Sequence, residues 1–445
     1  MLAVKKGGTI VKVISLAAVL AVVFAPGARA AQDERLTALS ATLSLLPHFP
    51  AGEETFSGPY RGATPELTVA KRQLRDWIDA ELQSESKEHN ANVSAKEFAA
   101  RLNGKLHQAN IQGVRDIRAW SYSRLLAVVT SFPIACGLDE SFYAWAWTGH
   151  QWKRVVGHET NDYEGGHYSP QVDYGMEGVH FSPASSKNEG ELYLLRTSVG
   201  SGCNSGWPGR NFQLYRVTPA NAAASLMVDG SVFAFVMEGT GETVLTPDRL
   251  IIEYTGHERD PRKTPFQARV RMFRLQGAKA TPVSLAAADP EDFVEQWLSS
   301  SWEQSAAVTS ELHSHTLEQW HHDLHRNLED DLLWASFASA VQCRDDSTLW
   351  QYGLVFVEAA ERETLDDIEY STNPCDPTVS QTGDGERVAG QSCTQVDNPD
   401  ALNQLRKVLV PPRVVYFLVR KIEPYLYTME DIRDAPPADC AATGK

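Results

Sequence analysis

The segment from residue 114 to residue 286 constrains the fold most, because its apolar residues follow the two-residue period of β-strands. Three pairs of strand-like runs recur in it, and their first runs begin at Leu125, Leu192 and Leu250, a repeat of about 60 residues. Propeller blades have a similar length, but three blades do not close a ring, so a sandwich or an open stack of hairpins is equally compatible. The pattern predicts a central antiparallel β domain with hairpin repeats, propeller-like or a sandwich.

The part of the chain before this domain has helical periodicity. Apolar stripes predict one helix over Asp33–Leu46 and a second over Leu67–Leu82. Ser94 followed by Glu97 has the form of a capping box and predicts the start of a third helix. Residues 31–113 are therefore predicted to form a helical N-terminal segment.

Mixed signals follow the β domain. Asp289 is a suitable N-cap, and Pro290 suits the first position of the helix that it opens. A longer helix is predicted over Val308–Leu333, and strand-like runs follow at residues 335–343, 349–359 and 414–422. Residues 287–445 are thus predicted to form a C-terminal α+β domain, and the whole protein is assigned to the α+β class.

Residues 1–30 have the pattern of a secretory signal peptide. A lysine-containing start precedes an apolar run that is too short for a membrane span, and Ala28-Arg29-Ala30 provides a small-residue cleavage pattern. We expect the mature chain to begin at Ala31 and to be periplasmic or secreted.

The predicted mature chain is strongly acidic. Removal of residues 1–30 leaves 37 basic and 57 acidic side chains, a balance of −20. This charge opposes binding to nucleic acid or to anionic membranes, both of which attract cationic surfaces. The predicted partners are instead a small molecule, a glycan or another protein, and no stable membrane insertion is expected.

The six cysteines predict disulfides, since their number is even and the predicted compartment is oxidising. Cys136 and Cys203 each lie 11 residues after the start of a repeat, which places them in equivalent loops and predicts a bond between them. For the other four cysteines we predict two bonds: Cys375–Cys393 and Cys343–Cys440.

A histidine-rich segment is the candidate metal site. His321, His325 and Glu329 succeed one another by one helical turn, a spacing at which imidazoles and a carboxylate can chelate a divalent cation. The alternative is a solvated helix face that happens to use histidine. A divalent metal is the only cofactor that the residues suggest.

Two loops share the tripeptide Gly-His-Glu. His158 and Glu159 follow one β run, and His257 and Glu258 follow another. If the repeat brings these loops together, their side chains could converge on a ligand or a metal; turn chemistry explains them as well.

Aromatic residues alternate on one run, where Trp145 and Trp147 are the candidate contacts to a sugar ring. The alternative is that alternate aromatics form the core of the domain. The glycine-rich segment at residues 198–209 is interpreted as a hairpin loop, because a strand and not a helix follows it.

The leading hypothesis is an exported, non-catalytic binding or interaction protein. The sequence contains no strong catalytic signature, so two alternatives stay open: an exported hydrolase, metal-assisted through the histidines, and a metal-sequestering protein.

Overall fold

The computed structural model describes residues 26–46, 65–89, 93–134, 137–159, 173–184, 190–200, 209–233, 241–256, 267–329, 332–358, 413–437 and 440. The chain divides into two compact units. The first contains Met1–Phe266 and Phe273–Thr281, and the second contains Gln267–Met272 and Pro282–Lys445. Antiparallel sheets with a smaller number of helices confirm the α+β class.

The first unit begins with three helices: α1 (Pro26–Leu43), α2 (Pro65–His89) and α3 (Ala95–Gln108). The predicted capping of α3 is confirmed, because the Ser94 hydroxyl accepts a hydrogen bond from the Glu97 amide. The predicted apolar stripes of α1 and α2 are buried and belong to one core.

Three four-stranded sheets follow, all antiparallel where pairing is described. They lie in the first unit except for Gln267–Met272 and Pro282 of the third sheet, which belong to the second unit. The first sheet contains β1 (Ile117–Tyr122), β2 (Leu125–Ile134), β3 (Gly137–Trp147) and β4 (Trp152–His158), in that order. The second contains β5 (Asp173–Pro183), β6 (Leu192–Gly200), β7 (Gly209–Thr218) and β8 (Ala223–Phe233), with a 3₁₀ turn at Pro219–Asn221 before β8. The third contains β9 (Thr243–Leu245), β10 (Arg249–Gly256), β11 (Gln267–Gln276) and β12 (Lys279–Pro282).

The three predicted repeats coincide with the two central strands of each sheet, β2–β3, β6–β7 and β10–β11. The glycine-rich segment joins β6 to β7, two antiparallel neighbours, as a hairpin connection requires. The correspondence extends to single positions: Thr130, Thr197 and Thr255 each lie five residues after the leucine that starts the repeat.

The sheets of the first unit share cores face to face. One face of the first sheet packs in the core of the three helices, and its other face shares a core with the second sheet. The opposite face of the second sheet shares a core with the third. Neighbouring residues such as Leu125 and Leu126 therefore lie in different cores, because successive side chains of a strand point to opposite faces.

We name the two ends of these sheets by their connections. The hairpin end is where β2 turns into β3 and β6 turns into β7, and the turn end is the opposite one. Equivalent ends lie together in the first two sheets. Arg196 lies over the Phe142 ring at mid-strand, and Tyr122 stacks on Phe181, with centroids 5.9 Å apart, near the turn end.

The second unit packs helices on a fourth sheet. Its helices are α4 (Pro290–Ser299), α5 (Trp302–Ala306) and α6 (Ser314–Glu329), with a 3₁₀ turn at Glu311–His313. Its strands are β13 (Leu332–Gln342), β14 (Leu349–Glu358), β15 (Arg413–Glu423) and β16 (Leu426–Arg433).

One sequence-based prediction for this unit is confirmed, and another is wrong. Asp289 caps α4 and Pro290 begins it, as predicted. The single helix predicted over Val308–Leu333 is wrong, because α6 begins only at Ser314 and Leu332 and Leu333 are already in β13. Apolar residues that continue a helical stripe can equally begin a buried strand, so periodicity alone misplaced this boundary.

The predicted Cys343–Cys440 disulfide is confirmed and holds the C-terminal tail against the end of β13. Cys136, Cys203, Cys375 and Cys393 lie outside the described residues, and their pairings stay predictions. In the part of the chain that the structure describes, no helix is long and apolar enough to cross a membrane.

Candidate ligand site at the hairpin end

Buried polar side chains are concentrated in the half of the first two sheets that runs from the middle of the strands to the hairpin end. Among the described strand residues of the first unit, the buried polar and charged ones lie there with the exception of Ser182: Thr130, Ser131, Asp139, Glu140, Ser141, Arg196, Thr197, Ser198 and Arg210. Burial of charge is costly unless the charge is paired, so such a concentration needs a specific set of partners.

Helix α2 supplies the partners on one side of the first sheet. Its residues Lys71, Arg75, Asp79 and Gln83 succeed one another by four positions, which places them on one face of the helix. We call this set the polar stripe of α2. Each of the four contacts β3, β4 or the residue that follows β4. The stripe therefore sets the position of the helix along the sheet.

Two ion pairs of the stripe lie at the hairpin end. Lys71 Nζ is 2.5 Å from Asp139 Oδ1, and both side chains are fully buried. Arg75 Nη1 donates to Glu159 Oε1 at 2.8 Å, and the Tyr143 hydroxyl donates to the same oxygen at 2.7 Å. Glu159 thus joins the helix to the sheet as a shared acceptor.

Burial changes the proton affinities in this layer. It raises the pKa of Tyr143 well above its usual value, and the nearby Glu159 charge adds to the effect. Burial also lowers the pKa of Lys71, against the opposing attraction of Asp139. Tyr143 is therefore a neutral hydrogen-bond donor at any physiological pH.

The two predicted sugar-contact residues lie under the helices. Trp145 is fully buried and Trp147 is 7% exposed, and both belong to the core shared with α1–α3. The Trp145 indole donates to Asp79 Oδ1 at 2.5 Å, and Arg154 donates to the other oxygen of that carboxylate at 3.0 Å. Neither ring presents an open face to solvent. This burial agrees with the alternative hypothesis that the alternating aromatic residues form the core of the domain.

A second polar layer lies on the other face of the first sheet, toward the second sheet. The Ser131 hydroxyl donates to Glu140 Oε1 at 2.6 Å, and Arg118 donates to the same oxygen at 2.5 Å. On β6, Arg196 donates to Gln213 at 2.9 Å and to Ser198 at 3.3 Å. Burial, the largest cause, lowers the pKa of Arg196 to about 10.

His158 belongs to this second layer. Burial lowers its pKa to about 4, and the positive charge of Arg196 acts in the same direction, so the ring is neutral at pH 7. His158 pairs with Phe142, whose side chain faces the second sheet, whereas Glu159 reaches Tyr143 on the helix side. The side chains of His158 and Glu159, adjacent in the Gly-His-Glu tripeptide, thus point into different layers.

A third layer joins the second and third sheets through one arginine. Arg210 donates to the backbone carbonyl of Glu253 at 2.6 Å, to that of Gly241 at 3.3 Å and to the Thr243 hydroxyl at 2.8 Å. His257 and Glu258, which follow β10, lie outside the described residues. Their predicted convergence with His158 and Glu159 stays a prediction.

The predicted metal ligand His321 lies in the core of the second unit. It is 2% exposed, and its Nε2 is 3.2 Å from the carbonyl oxygen of Trp297. Its ring packs against the indoles of Trp297 and Trp302, with centroids 4.7 and 5.4 Å away. The side chains of His325 and Glu329 lie outside the described part, so their pairing with His321 stays a prediction.

The sequence analysis missed most of this site. Lys71, Asp139, Glu140, Arg196 and Arg210 were not singled out, although two signals were present. One is the four-residue spacing of the polar stripe of α2. The other is the Thr-Ser pair at the same offset in the first two repeats.

No known protein family and no curated protein matches the chain. An apocarotenoid oxygenase of Synechocystis aligns with 64% of this chain and 46% of its own, at 10% identity and a TM-score of 0.18. A protein in complex with RGII aligns with 75% of this chain and 90% of its own, at 8% identity and a TM-score of 0.21. A glycosyl hydrolase from Bacteroides ovatus aligns with 38% of this chain and 71% of its own, at 9% identity and a TM-score of 0.13. The chain thus spans less than half the length of the oxygenase, and none of these likenesses carries an argument about function.

Proposed function

We propose that this protein is an exported, non-catalytic binding protein that holds a small polar molecule or a glycan at the hairpin end of its stacked sheets. The observation that carries the proposal is the concentration of buried charge at that end. Groups with displaced pKa values accompany it toward the middle of the strands, among them Lys71, Tyr143, His158 and Arg196. Clusters of this kind are enriched at functional sites, because a site must hold polar groups ready for a ligand.

The finer fold that we propose is an open, propeller-like stack. Its support is the succession of three four-stranded sheets with shared cores between neighbours. Helices α1–α3 cover the face of the first sheet on which a further sheet would pack in a closed ring. In such a stack the loops at one end are the natural place for a ligand, since loops on a rigid scaffold carry binding residues.

Binding is favoured over hydrolysis by how the reactive groups are arranged. The Ser131 hydroxyl donates to the Glu140 carboxylate and has no histidine beside it that would activate it as a nucleophile in the described residues. His158 and Glu159 lie on opposite faces of the first sheet, which separates the base from the carboxylate that would orient it.

The test is a ligand screen on the mature chain, followed by matched variants. Melting temperatures are measured with a panel of neutral and acidic oligosaccharides and of amino acids, and each hit is titrated by calorimetry. Arg196→Gln changes a buried arginine of this polar half at mid-strand, whereas Arg216→Gln changes an arginine on the same sheet at the turn end. We expect Arg196→Gln to weaken binding about tenfold or more and Arg216→Gln to leave it unchanged.

Gln213→Ala removes the hydrogen-bond partner of Arg196 and provides a second variant of the same layer if Arg196→Gln does not fold. Equal weakening by Arg196→Gln and Arg216→Gln would contradict the assigned position of the site. Chemical conversion of the bound ligand, seen by mass spectrometry, would favour the hydrolase alternative instead.

A further inference from the structure

The exposed face of α6 carries three potential metal ligands that differ from the trio predicted by the sequence. His315 Nδ1 is 4.0 Å from Glu318 Oε2, and His322 Nε2 is 3.9 Å from Glu318 Oε1. The three side chains are 84%, 42% and 63% exposed for His315, Glu318 and His322, so solvent and ions reach all of them. His321 is turned away into the core beside Trp297.

We propose that His315, Glu318 and His322 form a surface site for a borderline divalent cation, Zn²⁺ or Cu²⁺. Imidazole nitrogens combined with one carboxylate suit these ions, and Cu²⁺ binds such sets more tightly than Zn²⁺. The inference does not rest on the proposed ligand site, which lies in the other unit.

Two of the three ligand separations are close to those that coordination needs, and they involve the two different oxygens of Glu318. Two ligands of a tetrahedral ion at 2.0–2.1 Å stand about 3.4 Å apart, so each nitrogen–oxygen separation must shorten by about 0.6 Å. No group of three His, Cys, Asp or Glu side chains in the described part is already arranged to hold a metal ion, so the site requires side-chain rotation. Exposed side chains on adjacent helical turns rotate at low cost, since they are not held by packing.

Trp302 provides a reporter for the site, because its ring centroid is 6.4 Å from that of His322. The mature chain without a histidine tag is titrated with CuSO₄ and with ZnCl₂ by calorimetry, and tryptophan fluorescence is followed during the Cu²⁺ titration. We expect one ion per chain, partial quenching by Cu²⁺, and no response to CaCl₂, because Ca²⁺ prefers oxygen ligands.

Matched variants locate the ion. His322→Ala and Glu318→Gln should each weaken Cu²⁺ binding about tenfold or more, and His313→Ala, which removes an exposed histidine just before α6, should not. Trp302→Phe should reduce quenching while calorimetric affinity is retained. Equal losses in His313→Ala and His322→Ala, an equal response to Ca²⁺, or no saturation below about 1 mM would overturn the proposal.

Discussion

At the hairpin end Lys71 and Asp139 form an ion pair in which both side chains are fully buried, whereas the pair of Arg216 and Glu191 at the turn end keeps 25% and 22% exposure. Both pairs have short contacts, so geometry does not distinguish them. The two pairs differ in their exposure to solvent. Water screens the Arg216–Glu191 pair, so it contributes little to stability, whereas a buried charge such as Lys71 destabilises the fold unless it is paired. Because buried and perturbed charges are enriched at functional sites, the end of the domain with the buried pair is the better candidate for a ligand site.

Asp139→Ala is the substitution with the largest expected effect on this comparison. It leaves Lys71 buried without its carboxylate partner, so the free energy of unfolding should fall by about 3–5 kcal/mol. Urea denaturation monitored by circular dichroism measures the change. The double variant Lys71→Met/Asp139→Leu should recover most of the loss, because it removes both charges. If the free energy of unfolding of Asp139→Ala falls by less than about 1 kcal/mol, the Lys71–Asp139 pair contributes no more than a solvent-exposed pair does.

The predicted Cys136–Cys203 disulfide would join hairpins of the first two sheets at the hairpin end. Chain-entropy arguments give about 4 kcal/mol for a loop of this size, so Cys203→Ser should lower stability by up to that amount. Peptide mapping under non-reducing conditions tests the bond itself. A linkage of Cys136 to a cysteine of the second unit would contradict both the pairing and the equivalence of the loops.

The lowered pKa of His158 predicts that the stability of the protein decreases at acidic pH. Its pKa falls from 6.5 to about 4 on folding, so the folded state favours the neutral ring. This contribution to stability is fully present above pH 6.5 and is lost as the pH falls toward 4, because the unfolded chain then binds the proton more readily.

The measurement is the melting temperature between pH 7 and pH 4. His158→Gln should lose less stability over this range than the wild type, since it cannot take up the proton. His150→Gln, which changes an exposed histidine at the turn end of the first sheet, should follow the wild-type curve. Parallel curves for His158→Gln and the wild type would show that the ring is not desolvated.

The smallest expected effect is at the turn end. Glu191→Ala removes the partner of Arg216, and the free energy of unfolding should fall by only about 0–1 kcal/mol, since solvent replaces the lost contact. The same denaturation series as for Asp139→Ala provides the value. A loss as large as that of Asp139→Ala would remove the distinction between the two ends.

Features with a local cause could be predicted from the sequence. The helices of the first unit, the central strand pairs of the three sheets and the caps of α3 and α4 follow from periodicity and from single residues at helix ends. The Cys343–Cys440 bond could also be predicted, since of the three pairings open to four cysteines this one pins the C-terminal tail to a strand. The start of α6 was not, since one apolar pattern serves both a helix and a strand.

The site itself depended on contacts between distant parts of the chain. Arg75 and Glu159 are 84 residues apart, and nothing near either residue indicates the other. Lys71 and Arg75 look like the solvated face of a helix, because long cationic side chains are usually exposed. Only the packing of α2 on β3 and β4 turns them inward.

The amino-acid pattern by itself determined the helices of the first unit and the central strands of its sheets, because side-chain periodicity is a property of neighbouring residues. It also determined the repeat of strand pairs, which the sheets reproduce. The tertiary structure alone decided which charges are buried, that His158 and Glu159 face different layers, and that His321 lies in a core while His322 faces solvent. Burial and ion pairing depend on what packs against a residue, and that partner is set by the fold rather than by the neighbouring sequence.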